Sequence, residues 1–291
     1  MTPTLINVCG AARSGTTMLD LMLGNRPDAF ACGEVYARFR PWQEHHFHPR
    51  CRCGRDPCPV WERIGAVPER RFHAHLAAAL AVEFISDSSK DLCWLVDTQE
   101  WALADGLRVY KILLWKRPVS LAYSHWKRTG DPHAWRGEFV GYYRRFFETG
   151  LPFRAVRFDD LVGDPPRTLA AICAAVGMPY RAGQERFWEK EHHYLFGSHG
   201  VYEQTISPHP AIRPVESYPP EFAAHIPALE RHLAADEEVQ RLLAVLRGAD
   251  IFAGGFGPDS QRPGRRPYWY YLRRARQMAA RCAPRRKGWV K

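Results

Sequence analysis

The chain has 291 residues, 46% of them hydrophobic and 25% charged, which suits one large domain with its own core and excludes a disordered chain. Its formal net charge is +10, but residues 261–291 hold eleven Lys/Arg and no Asp or Glu, leaving −1 over residues 1–260. The body is electroneutral, so no nucleic-acid partner is expected, and no run reaches the roughly 20 apolar residues of a membrane span.

Met1–Gly10 lacks the basic start of a secretory signal. With eight cysteines taken as reduced thiols, this points to the cytoplasm. Leu5–Cys9 is predicted as a buried parallel strand. Thr16–Gly24 is predicted as a helix, with Met18, Leu19, Met22 and Leu23 at helical spacing. Gly10–Gly15 is then a strand-to-helix loop. Residues 37–70 are rich in His, Pro, Arg and Cys and weakly periodic, as an inserted loop or lid would be. A helix is predicted over Phe72–Phe84 and the end of a short strand at Phe84–Ser86, followed by the polar segment Asp87–Asp91.

Arg108–Trp115 is predicted as a strand ending at Lys116-Arg117-Pro118, with helices over Val119–Arg128 and the tyrosine-rich Phe139–Phe147. Phe153–Phe158 is a further predicted strand. Pro165-Pro166 opens a helix through Val176, which Gly177 stops. Pro208–Pro220 is expected to be irregular and Ala228–Leu246 to form one late helix. Strands alternating with helices predict an α/β fold, a P-loop-type three-layer arrangement with a central parallel sheet flanked by helices.

Gly10-Ala-Ala-Arg-Ser-Gly15-Thr16-Thr17 nearly matches the phosphate-loop pattern G-x-x-x-x-G-K-[ST]. Free backbone N–H groups at a helix start favour an anion there. The lysine position, however, holds Thr16, and the loop's cation is Arg13. A nucleotide triphosphatase uses that lysine and a magnesium ion to neutralise a γ-phosphate. A sulfuryl group carries less charge and can be transferred without a metal.

Arg13-Ser14-Gly15-Thr16-Thr17, continued by Asn25-Arg-Pro-Asp28 and Cys32-Gly33-Glu34, resembles the 5′-phosphosulfate loop of sulfotransferases that use 3′-phosphoadenosine 5′-phosphosulfate (PAPS), of the bacterial type with a tyrosylprotein-sulfotransferase-like N-terminal segment. The resemblance spans about residues 5–200 and is strongest over 8–36 and 84–124. It implies a sulfotransferase domain over residues 1–255, with 37–70 as a Cys/His-rich insert and 256–291 as a basic aromatic tail. Arg13, Ser14, Gly15, Thr16 and Thr17 would hold the 5′-phosphosulfate. Glu34 would be the general base, with His45, His46 and His48 as competitors for that role. Lys90, in Asp87-Ser88-Ser89-Lys90, would steady the leaving phosphate.

Lys116-Arg117-Pro118…Ser124 resembles the family's 3′-phosphate motif, with Lys116 on the usual arginine and Arg117 on the usual aspartate. Either cation could hold the 3′-phosphate beside Ser124, lysine acting as a point charge. His193–His199 resembles a loop that closes on the nucleotide and would contribute Gly197 and Ser198. Arg157-Phe158-Asp159-Asp160-Leu161 with Asp164-Pro165 resembles a segment useful mainly as a fold marker. PAPS is the implied co-substrate, and the mechanism requires no metal.

Cys51, Cys53 and Cys58 resemble a Cys-rich insert of bacterial members. Zinc binding with Cys32 or a nearby His, a disulfide, and free thiols all stay open, and C-x-C-x4-C is not a standard zinc spacing. Tyr268, Trp269, Tyr270 and Tyr271 among paired arginines suit either the anionic inner face of a membrane or a solvated tail. The acceptor is expected to be a glycan, lipid-linked or small-molecule hydroxyl or amine. Two other functions remain open: a P-loop kinase or nucleotide hydrolase, and a catalytically degenerate nucleotide-binding protein at a membrane surface.

Overall fold

The computed structural model describes residues 2–253 and 266–282. Five strands form one sheet in the order β2-β3-β1-β4-β5, and every pairing is parallel. They are β1 (Thr4–Cys9), β2 (Ala29–Ala31), β3 (Phe84–Asp87), β4 (Arg108–Trp115) and β5 (Arg154–Arg157). β1 is buried along its whole length. Ile6 and Val8 join one core, while Leu5 and Cys9 face two cores on the opposite side. A strand apolar on both faces needs helices on both, which is the condition for an all-parallel sheet.

The first face packs against α1 (Thr16–Gly24) and, later in the chain, α8 (Phe158–Gly163) and α9 (Pro165–Ala175). The opposite face is covered in two parts. Near β3 lie the short α2 (Tyr36–Phe39) and α3 (Pro59–Ile64) of the insert, with α4 (Phe72–Leu80). Near β5 lie α5 (Leu92–Ala104), α6 (Pro118–Thr129) and α7 (Trp135–Glu148). The chain continues through α10 (His199–Thr205), α11 (Pro220–Ala223), α12 (Ile226–Ala235) and α13 (Glu237–Gly248) to α14 (Tyr268–Cys282).

β1 leads outward to β2 on one side, and β4 leads to β5 on the other. The carboxyl ends of β1 and β4 therefore flank the point where strand order reverses, the usual place for a ligand in an open α/β sheet.

Several expectations need correction. The predicted helix Ala228–Leu246 is two helices, α12 and α13, because the Asp236 carboxylate caps the second by accepting from Val239 N–H at 3.2 Å. The predicted strand Phe153–Phe158 ends at Arg157. Phe158 opens α8, whose first turn carries Asp159 and Asp160, favourable at a helix start. The predicted helix Phe72–Phe84 stops at Leu80, with Ala81 in the left-handed conformation at φ 54°. Neither β2 nor α5 shows a periodic signature in the sequence. β2 has three residues, too few for a period. α5 is buried through nine of its thirteen positions and so has no polar face to set a period.

α14 lies against α5. Tyr270 is buried and donates to Asp97, while Arg266, Arg273 and Arg274 pair with Glu100, Asp91 and Asp97. No helix among the described residues is long and apolar enough to cross a membrane.

Candidate active site

The loop between β1 and α1 turns tightly at the end of the sheet. A Cβ on Gly10 would stand 2.5 Å from the carbonyl oxygen of Leu114 in β4, so only glycine fits between the strands. Gly10 N–H donates to the Tyr142 hydroxyl at 3.1 Å, and the Tyr143 hydroxyl donates to Leu114 O at 2.9 Å. Two adjacent tyrosines of α7 thus hold the start of the loop and the end of β4. Arg13 holds a left-handed conformation, φ 70°, uncommon outside glycine and characteristic of functional turns. α1 begins without a side-chain cap, so its first N–H groups are available to an anion.

A cleft opens above this loop. Arg13, Gly15, Thr16, Thr17, Glu34, Lys90, Lys116, Ser124, Gly197 and Ser198 line it. Arg13 Nε lies 3.4 Å from Ser124 Oγ, linking the loop to α6. Ser198 N–H donates to Thr17 Oγ1 at 3.1 Å, so the late loop closes directly on the start of α1.

Two expected residues fall outside the cleft. The Ser14 side chain is buried under the loop toward Gly10, and its own N–H donates to Ala11 O at 3.2 Å. Arg117 pairs with Asp159, its Nε 2.9 Å from Oδ1, and it lines a neighbouring cavity that shares Lys116, Ser124 and Phe158 with the cleft. Of the two candidate 3′-phosphate cations, Lys116 is the one facing the loop. Its ammonium lies 4.0 Å from the centroid of the Phe158 ring. Burial, then the charge of Arg13, lowers its pKa to about 8.

Glu34 and Lys90 form an ion pair at the rim of the cleft. Hydrogen bonds hold the segments that carry them. Gly33 N–H donates to Asp20 Oδ2 at 2.9 Å, Ser88 N–H to Gly33 O at 3.0 Å, and Glu34 N–H to Leu195 O at 2.9 Å. A Cβ on Gly33, at φ 73°, would stand 2.1 Å from Leu195 O, so the late segment is pressed onto the residue before Glu34. In Asp87-Ser88-Ser89-Lys90, Ser88 Oγ donates to Asp20 Oδ2 at 3.0 Å and Ser89 Oγ accepts from Tyr36 N–H at 3.1 Å. Burial opposes ionisation of Asp87. Hydrogen bonds from His73, Ser89 and Trp94 outweigh it and hold that carboxyl below the usual range.

Asp20 is a residue that sequence reasoning missed. It is fully buried in α1, and a single carboxylate oxygen ties the Glu34 segment to the Lys90 segment. Burial raises its pKa to about 8, against weaker opposition from its hydrogen bonds. Its one sequence signal was an acid among apolar helix positions.

The competing histidines do not line the cleft. His46 accepts from the N–H groups of Trp42 and Gln43, at 3.4 and 3.3 Å. His45 and His48 line a separate cavity beside Cys51 and Arg55. A third cavity shares Ala12, Glu34 and Lys90 with the cleft and extends to Tyr36, Trp42, Glu138, Tyr142, Arg145 and Arg273. The ion pair thus stands between two spaces. One is walled by cations and helix N–H groups, the other by aromatic rings and mixed charges.

Among solved structures, the sulfotransferase domain from the curacin biosynthetic pathway matches at TM-score 0.53 and 14% identity, over 84% of this chain and 98% of that one. The sulfotransferase domain from the Synechococcus PCC 7002 olefin synthase matches at 0.46 and 13%, over 81% and 96%. The sulfotransferase from Alicyclobacillus acidocaldarius matches at 0.40 and 16%, over 85% and 96%. No protein-family model and no curated protein matches the sequence. The chain has the α/β fold of a sulfotransferase domain, as the resemblance of its loop implied.

Proposed function

We propose that this chain is a sulfotransferase that moves a sulfuryl group from PAPS to a hydroxyl or amine of a carbohydrate, lipid-linked or small-molecule acceptor. The observation that carries the proposal is the Glu34–Lys90 pair on the wall shared by two cavities. The cleft's charge suits the donor: Arg13, Lys90 and Lys116 converge there with one acid, Glu34. In this reading Arg13 and the N–H groups at the start of α1 hold the 5′-phosphosulfate. Lys116 and Ser124 hold the 3′-phosphate, and Gly197 and Ser198 close over it.

The acceptor approaches from the aromatic cavity. Its oxygen or nitrogen bonds to sulfur as the bond from sulfur to the bridging phosphate oxygen breaks. Glu34 takes the proton that the acceptor loses. Lys90 neutralises the charge growing on the leaving oxygen. The products are the sulfated acceptor and adenosine 3′,5′-bisphosphate.

Titration calorimetry with adenosine 3′,5′-bisphosphate, and separately with ATP and magnesium, tests the donor. The expected result is metal-independent binding of the bisphosphate that ATP does not displace. Binding of magnesium-ATP without the bisphosphate would instead favour phosphoryl chemistry.

A further inference from the structure

We infer that Cys51, Cys53, Cys58 and His193 form a structural zinc site that clamps the insert onto the segment closing the phosphate-loop cleft. The three sulfurs and one imidazole nitrogen lie within 4.8 Å of one another. In a tetrahedral site, Zn–S bonds of about 2.3 Å and Zn–N bonds of about 2.0–2.1 Å put neighbouring S and N atoms about 3.6 Å apart. His193 Nδ1 stands 3.4 Å from Cys58 Sγ and 3.9 Å from Cys51 Sγ, on either side of that distance. Three thiolates and an imidazole favour zinc over hard cations, and four protein ligands complete its structural coordination.

The surroundings have the form of a metal site. The other ring nitrogen of His193, Nε2, lies 3.4 Å from Glu191 Oε2. Glu191 in turn pairs with Arg55, between Cys53 and Cys58 in the chain. A carboxylate behind a metal-bound imidazole fixes its tautomer and orientation. Cys53 N–H points to Cys51 Sγ at 3.5 Å, and Trp61 Nε1 donates to His193 O at 2.8 Å. The cysteine spacing alone did not indicate zinc because the fourth ligand lies 135 positions beyond Cys58.

The clamp bears on the active site through the backbone. Arg52 N–H donates to Tyr194 O at 3.1 Å, and Leu195 O accepts from Glu34 N–H at 2.9 Å. Three residues further on, Ser198 N–H meets Thr17. This consequence for nucleotide binding rests on the proposed function, whereas the zinc site itself does not.

The test is the metal content of the full chain, purified from zinc-supplemented cells without a chelator and measured by plasma mass spectrometry. One zinc per chain is expected in the wild type and in the buried-thiol control Cys93→Ser. Cys53→Ser is expected to lose it on dialysis against a weak chelator. Glu191→Ala changes a half-exposed residue outside the ligand set, and should lower zinc affinity about 10–100-fold. Cobalt substitution should give thiolate charge-transfer bands and the intense visible absorption of a tetrahedral ion.

Wild-type protein with far less than one metal per chain overturns the inference. So does an intact mass showing a disulfide within the cluster, or stoichiometric zinc retained by Cys53→Ser. Stoichiometric zinc in a chain that binds no bisphosphate would support the clamp and contradict the proposed function. Normal bisphosphate binding without zinc would do the reverse.

Discussion

Lys116 makes the reading of the nucleotide site measurable as a pH dependence. Burial and Arg13 lower its pKa to about 8, while a phosphate monoester is already mostly dianionic above about pH 6. If the charged ammonium is the form that binds, apparent affinity falls with the protonated fraction. That fraction is about nine-tenths at pH 7 and one-tenth at pH 9, so the dissociation constant should rise about tenfold over that interval. Calorimetric titration of adenosine 3′,5′-bisphosphate from pH 6.5 to 9.5 reads this directly. Adenosine 5′-monophosphate, lacking the 3′-phosphate, should not show the rise. Lys116→Met should weaken the bisphosphate about 10–100-fold at pH 7 and abolish the pH dependence, in line with roughly 1.5–3 kcal/mol for a hydrogen bond to a charged group. A flat wild-type profile, or an unchanged profile in Lys116→Met, would refute the assignment.

Arg117→Ala serves as the contrast. Its exposed pair with Asp159 is worth at most about 1 kcal/mol, and bisphosphate affinity should stay within twofold by the same titration. Asp20→Asn should change how stability depends on pH. With a folded pKa of about 8 against the ordinary 3.8, the folded chain keeps a proton that the unfolded chain releases. That stabilisation is complete below about pH 4 and is lost as pH rises through 8, at about 1.4 kcal/mol per pH unit. Urea unfolding at pH 5 and 7.5 should therefore show the wild type losing about 3 kcal/mol more than Asp20→Asn; equal losses would contradict it. Tyr270→Phe removes the hydroxyl that α14 donates to Asp97, itself paired with buried Arg40. It should cost about 1.5–3 kcal/mol in urea unfolding, and an unchanged midpoint would show that α14 does not brace α5.

What was legible in the sequence was what local chemistry decides. The glycine spacing of Gly10–Thr17 marks a strand-to-helix loop of phosphate-loop pattern, and β1, α1 and β4 follow from short-range apolar patterns. Glu34 and Lys90 came from resemblance alone, and the structure brings them together across 56 positions. What stayed hidden depends on distant partners. Asp20 acts through Gly33 and through Ser88, which lies 68 residues on. Lys116 lines the cleft and Arg117 does not, because Arg117 pairs with Asp159, 42 residues on. The tail arginines look like a charge run in one dimension, yet in the fold three of them answer the acids Asp91, Asp97 and Glu100.

Sulfuryl transfer across the Glu34–Lys90 pair can be measured directly. Sulfur-labelled PAPS is incubated with native-host extract and wild-type protein or Glu34→Gln, and labelled products are counted. The wild type is expected to transfer label and Glu34→Gln to lose about 10²–10⁴-fold of that activity, with bisphosphate affinity retained. Glu34→Gln turning over at the wild-type rate, or a wild type that binds the bisphosphate yet labels nothing, would contradict it.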